Sequence, residues 1–214
     1  MSEIRVENII GETGNDAVKF TKGINVTGIA TATNVSVGSS VTATNFYGSG
    51  ANLTGIESGL TVAQQWRITA TKNITTSQSF VTSDWEAADT DGYGAISSMS
   101  ESSGVFTFPV TGIYLVRFIG AHESTAAINW SQTELHTTTD GSSYDYASYG
   151  YASFGSGSQY ATSVNEFIFD VTNTSTHKVK FAVRGSNNES KLYGAGSGGT
   201  VNQTYVTFIR LGAT

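Results

Sequence analysis

The chain has 214 residues, room for one large or two small domains. Only 13% of them are charged, about half the usual share, and the net charge is −6 with no basic run, which argues against nucleic-acid binding. There is no cysteine, so disulfide, thiol-nucleophile and zinc–thiolate chemistry are excluded together.

The N-terminus, MSEIRVENII, has mixed charges and no apolar run of signal-peptide length. No stretch approaches the length of a membrane-crossing helix. The expectation is synthesis in a cytoplasm, with no secretory route and no membrane insertion. Residues 1–20 alternate briefly at Ile4 and Val6 and turn at Gly11 to Gly14. A hairpin this small is marginal alone, so it is expected to be an anchor that docks on something.

Residues 21–56 contain an internal repeat: Thr31-Ala32-Thr33-Asn34-Val35 returns as Thr42-Ala43-Thr44-Asn45-Phe46. Short Val/Ile runs with Gly and Asn turns at this spacing suggest a β-prism or β-helical stalk. The segment has too few large apolar residues to bury a core alone, which winding identical chains around one axis would solve. A flexible Gly/Thr linker is the other reading. The phrases GINVTGIATAT (residues 23–33) and YGSGANLTGI (residues 47–56) resemble phrases in fibre and virion-surface proteins of tailed bacteriophages, especially those infecting marine cyanobacteria. That resemblance implies a virion structural protein, made in the host cytoplasm.

From Leu60 the composition changes. Trp66, Phe80 and Trp85 appear and the strands lengthen, so a linker is placed at 57–63 and a head domain at 64–214. Residues 84–94 read as a loop. Residues 102–118, SSGVFTFPVTGIYLVRF, read as two strands joined at Pro109 to Gly112. Phe106 and Phe108 share one face of the first. In the second, Ile113 and Leu115 point one way and Tyr114, Val116 and Phe118 the other. A strand apolar on both faces is covered on both, so one face fills the domain core and the other calls for a second cover such as a partner subunit.

The F-x-x-P-x-x-G-x-Y-x-V segment, Phe106 to Val116, resembles the signature hairpin of the tumour-necrosis-factor-like jelly rolls, which include the globular heads of the complement first component. Gln65-Trp66-Arg67-Ile68 resembles the opening strand of that fold. Residues 166–184 resemble its late strand-turn-strand pair, and residues 205–211, YVTFIRL, its central closing strand. The resemblance covers roughly residues 64–214 and implies a jelly-roll β-sandwich and a homotrimer. Complement-type proteins carry a collagen stalk, whereas Gly-X-Y is absent here. That weakens an animal immune reading and leaves the phage reading intact.

Further strands are expected at 126–136, 164–171, 177–184 and 203–211, with a hairpin turn at Asp140-Gly141 and a Gly/Ser/Asn loop at 185–199. No amphipathic helix is found, so the chain is all-β.

Candidate chemistry is sparse. His122, His136 and His177 lie far apart without metal-ligand spacing, and a structural role suits them; a histidine near a three-fold axis would be the exception. Asp89-Thr90-Asp91-Gly92 is a fragment of a calcium loop without its distal ligands, or simply an Asp/Gly turn. Some complement-type heads hold calcium near the trimer apex. The carboxylates are scattered and no pair stands out for glycan hydrolysis. No nucleophile elbow, phosphate loop or zinc motif occurs, so no catalytic residue, cofactor or metal is assigned and an enzyme is not expected.

Residues 142–160, SSYDYASYGYASFGSGSQY, are the best binding candidate, through Tyr144, Tyr146, Tyr149, Tyr151 and Tyr160. Tyrosine offers a rigid apolar face and a hydroxyl at low entropic cost, which suits stacking on sugar rings. The alternating pairs are equally what strand residues packed at a subunit interface look like. The combined reading is a trimeric phage fibre subunit. Its N-terminal residues, 1–56, dock on other virion proteins, and its jelly-roll head attaches to a host-surface glycan or receptor. The alternative is a capsid decoration or head-fibre protein that stabilises or tethers the particle.

Overall fold

The computed structural model describes residues 24–31, 37–38, 40–44, 59–90, 92–195 and 199–214. The chain divides into two units, Met1–Leu53 and Thr54–Thr214. The expected anchor, 1–20, lies outside the described residues, as does most of the expected stalk. None of the stalk's described residues is in a strand, and Ile24, Val26, Ile29, Val37 and Val41 are exposed.

The second unit has no helix among its described residues. Its strands are β1 (Ala63–Ile68), β2 (Lys72–Asn73), β3 (Ser79–Phe80), β4 (Trp85–Ala87), β5 (Ser100–Ser102), β6 (Val105–Thr107) and β7 (Gly112–Ser124). They continue with β8 (Ile128–Thr138), β9 (Asp145–Phe154), β10 (Gln159–Val171), β11 (Lys178–Gly185), β12 (Ser190–Leu192) and β13 (Tyr205–Gly212). All pairings are antiparallel. The spine of one sheet, sheet A, runs β1-β13-β7-β10, with β4 outside β1 and with β12 and then β2 alongside β7. The spine of the other, sheet B, runs β6-β11-β8-β9, with β5 outside β6 and β3 beside β11. Count only the eight spine strands along the chain. Sheet A then takes the first, eighth, third and sixth, and sheet B the second, seventh, fourth and fifth. This is a jelly roll.

The segment 102–118 differs from its expected form. Its two strands do not pair with each other: β6 belongs to sheet B and β7 to sheet A. It is the corner by which the chain crosses between sheets. Pro109 has no N–H to give to a ladder and ends the first strand. Tyr114 donates its hydroxyl to the Val110 carbonyl at 2.8 Å, which closes the corner. Gly112 starts β7 at φ 151°, and a Cβ there would lie 2.6 Å from the Gly212 carbonyl oxygen, so only glycine fits. Two expected loops also contain strands. In 84–94, β4 places Trp85 against the core beside Ile68. In 185–199, β12 buries Leu192 completely.

Strand alternation fills the space between the sheets. Tyr114, Val116 and Phe118 of β7 face inward, with Phe106, Phe108, Phe181, Phe208 and Val206 from the other strands. Phe106 is the hub: Trp66, Trp85, Phe181 and Phe208 stand 5.1–5.5 Å from its ring centre, drawn from both sheets.

The far end of the interior is polar. His122, only 1% exposed, has Ser131 Oγ 2.8 Å from Nδ1 and Ser163 Oγ 2.7 Å from Nε2. Thr133 joins Ser163 at 2.7 Å and donates to Asn165 at 3.0 Å. Each polar side chain of this cluster is thereby partnered, as burial requires.

Candidate binding site

The outward faces of the sheets carry the functional candidates. On sheet B, β8 turns Trp130, Gln132, Glu134 and His136 outward, because Ser131, Thr133 and Leu135 are inward and fully buried. Strand β9 pairs Tyr151 with Gln132, Tyr149 with Glu134 and Tyr146 with His136. A bulge at Ala147 keeps Tyr146 on the same face as Tyr149 despite their odd spacing. Gly150 faces inward between two tyrosines, where a Cβ would lie 2.6 Å from the Val164 carbonyl oxygen. That close approach brings β9 against β10.

An aromatic row results. Tyr149 and Tyr151 meet edge-on at 5.3 Å, and Tyr151 meets Trp130 at 6.0 Å. Tyr149 and Tyr151 are each 54% exposed, so half of each side chain is open to a ligand. Further along, Tyr146 lies 4.3 Å from the His136 ring, which also meets Phe80 at 5.0 Å. Lys180 places its ammonium 4.2 Å from the Tyr144 ring centre and 5.4 Å from that of Phe80.

Beneath this row sits a saturated polar layer. Glu134 is 0% exposed, and its carboxylate accepts from Gln78 Nε2 at 2.7 Å and Gln132 Nε2 at 2.8 Å, with His136 Nε2 at 2.9 Å. Gln78 Nε2 also donates to the Tyr146 hydroxyl. Burial, and after it the Glu134 charge, raise the Tyr146 phenol above its ordinary value. Burial, and after it Asp140, raise Tyr144. Both therefore keep their hydroxyl protons at neutral pH and can donate.

The structure thus brings Tyr144, Tyr146, Tyr149 and Tyr151 onto one face. Tyr160 is elsewhere, on the outer face of sheet A opposite Glu123. It stands 5.9 Å from Tyr193, and the two line a shallow hollow of about 340 Å³ with Ala121 and Gln203. Hydrogen bonds to Tyr160 and Glu123 push the Tyr193 phenol up to about 12.

The outer face of sheet A is otherwise ruled in cross-strand rows. Ile168, Leu115 and Ile209 form one row across β10, β7 and β13; Val164, Ile119 and Tyr205 form another. Between them Glu166 meets Arg117 at 3.0 Å. Ile168 is 61% exposed, and Val164 and Leu211 are exposed as well. This is the second apolar face expected for the 113–118 strand.

All three histidines are buried: His122 in the polar interior, His136 under the aromatic row, His177 beside Thr172 and stacked on Phe169. Among the described residues no group of three metal-ligating side chains occurs. Glu86 and Asp89 are held by the buried Arg67 at 2.9 and 3.5 Å.

Trp130, Gln78, Glu134 and Phe80 were not singled out from sequence. The alternation Trp130, Gln132, Glu134, His136 was a usable signal for β8. Phe80 and Gln78 had none, since they reach the site from more than fifty residues away.

No family model matches the chain, and no curated protein does. Solved structures are matched. Murine APRIL at pH 8.0 has a TM-score of 0.47 and 12% identity, over 70% of this chain and 98% of that one. At pH 5.0 its TM-score is 0.47 and its identity 14%, with the same coverage. Eiger TNF from S. frugiperda has a TM-score of 0.47 and 12% identity, over 72% of this chain and 94% of that one.

Proposed function

We propose that the protein is a homotrimeric attachment subunit whose jelly-roll head binds a cell-surface glycan. The observation that carries this reading is the aromatic row of sheet B, partly buried Trp130 with half-exposed Tyr151 and Tyr149, laid over the polar layer of Gln132 and Glu134. Flat apolar rings stack on sugar faces, and phenol hydroxyls serve the sugar hydroxyls. The row belongs to a rigid sheet, so the geometry is fixed before binding.

Self-association supports attachment through avidity. The rows on sheet A supply the surface for it: Ile168, Leu115 and Ile209 form an apolar band across three strands, and a copy of the same chain is the cover that suits it. The phage phrases at 23–33 and 47–56 support placing this subunit on a virion as a fibre, with residues 1–56 docking on the particle.

Labelling intact virions with an antibody against residues 64–214 and viewing them by electron microscopy tests the placement. Label at the tail is the expected result. Label spread over the head would make the protein a capsid decoration, and no label on any particle would overturn the virion assignment.

A further inference from the structure

We propose that the aromatic face of sheet B selects an acidic polysaccharide, stacking its rings on Tyr149, Tyr151 and Trp130 and pairing its carboxylate or sulfate groups with Lys180 and Arg184. This deepens the glycan reading above and rests on it.

The argument starts from where the cations are. The chain has only 11 Lys and Arg, and its net charge is −6. Among the described residues Arg67 is paired with Glu86 and Asp89, Lys72 with Asp84 and Arg117 with Glu166, while Lys178 shares the outward face of β11 with Lys180 and Arg184. Lys180 and Arg184 make no ion pair with any described residue. Both point outward from β11, four residues apart on one face. Strand β8 lies between them and the tyrosines of β9, so the cationic and aromatic rows run side by side, about 9–10 Å apart at the backbone.

The side chains close that gap. The Lys180 ammonium lies over Tyr144 at 4.2 Å, and the Arg184 guanidinium stands 6.0 Å from the Trp130 ring centre. Arg184 also donates Nε to the Thr76 carbonyl at 2.9 Å and hydrogen-bonds the Tyr146 hydroxyl, which holds the guanidinium beside the aromatic row. A sugar ring stacked on the row would carry its acidic substituent towards these heads. Arginine pairs planar carboxylate and sulfate groups through parallel hydrogen bonds. Glu134 offers a ligand no exposed acceptor. It is fully buried, and three donors already occupy its oxygens.

The test is calorimetric titration of the full chain with alginate, chondroitin sulfate and dextran: a polyuronate, a sulfated glycan and a neutral glucan. The acidic polymers should bind about tenfold more tightly than dextran, and the gap should shrink as salt rises from about 0.05 to about 0.5 M. Preference for alginate alone, or for chondroitin sulfate alone, would identify which anion the heads take. The double variant Lys180→Gln, Arg184→Gln should lose the preference and keep its thermal midpoint, while Lys180→Arg should retain it. Equal, salt-insensitive binding of dextran and alginate would overturn acid selection and leave glycan attachment standing. An undiminished preference in the double variant would overturn the role of these two residues. Binding of none of the three would overturn both readings.

Discussion

Acid should destabilise the head through His122. The imidazole sits inside the sandwich between Ser131 and Ser163, with hydroxyls at 2.7 and 2.8 Å, and burial pushes its pKa down to about 4. In the unfolded chain it titrates near 6.5. Between those values the unfolded state binds the proton and the folded state does not. The stability this group contributes is therefore complete above pH 6.5 and drains away as pH falls towards 4. The interval spans about 2.5 pH units at about 1.36 kcal/mol each, a loss of about 3 kcal/mol. That is a large part of a typical domain's 5–15 kcal/mol. Asp84 and Asp140 act in a separate window: hydrogen bonds from Lys72 and Ser83, and from the Ser142 and Ser143 amides, hold them below their ordinary value of 3.8, so their contributions are lost only under more acidic conditions. Urea unfolding followed by the fluorescence of the three tryptophans, at one fixed protein concentration, measures the effect. His122→Gln should cost stability at pH 7.5 and flatten the curve between pH 6.5 and 4. Equal wild-type stability at pH 4 and 7, or an undiminished slope in the variant, would refute the reasoning.

Phe106→Ala removes the hub ring from a fully buried site and should cost about 3–5 kcal/mol in the same assay; a loss below about 1 kcal/mol would show that Trp66 and Trp85 collapse into the space. Light scattering should give about three times the 22.5 kDa chain mass, and Ile168→Asp should reduce it to one chain without unfolding the head; a monomeric wild type would end the trimer. Tyr149→Ala with Tyr151→Ala should weaken glycan binding at least about tenfold and leave the thermal midpoint nearly unchanged, since both side chains are half-exposed. Gly112→Ala should lower the thermal midpoint, because the new methyl group meets the Gly212 carbonyl at a φ that alanine avoids.

Much of this protein follows from the order of its residues. Period-two alternation fixes which side of β7 is core, because Tyr114, Val116 and Phe118 have only one dry place to go. The same alternation announced a second apolar face at Ile113 and Leu115 before any sheet was built. Pro109 and Gly112 marked a corner, since one cannot donate a hydrogen bond and the other alone tolerates its backbone. The sequence could not say what that corner joins, because a turn between two strands looks alike whether they pair or part; only the long-range partners of β6 and β7, on β11 and β13, put them in opposite sheets. The tyrosines were visible as a run, but their grouping was not. A bulge at Ala147 kept Tyr146 with Tyr149, and the sheet crossing sent Tyr160 to the other side of the molecule. Lys180, Arg184, Trp130 and Gln78 joined the site through strand pairing between distant segments, which local pattern does not encode. The buried Glu134 shows the same limit: on sequence it is one scattered acid among many, and only the tertiary structure gathers the three donors that let a carboxylate exist away from water.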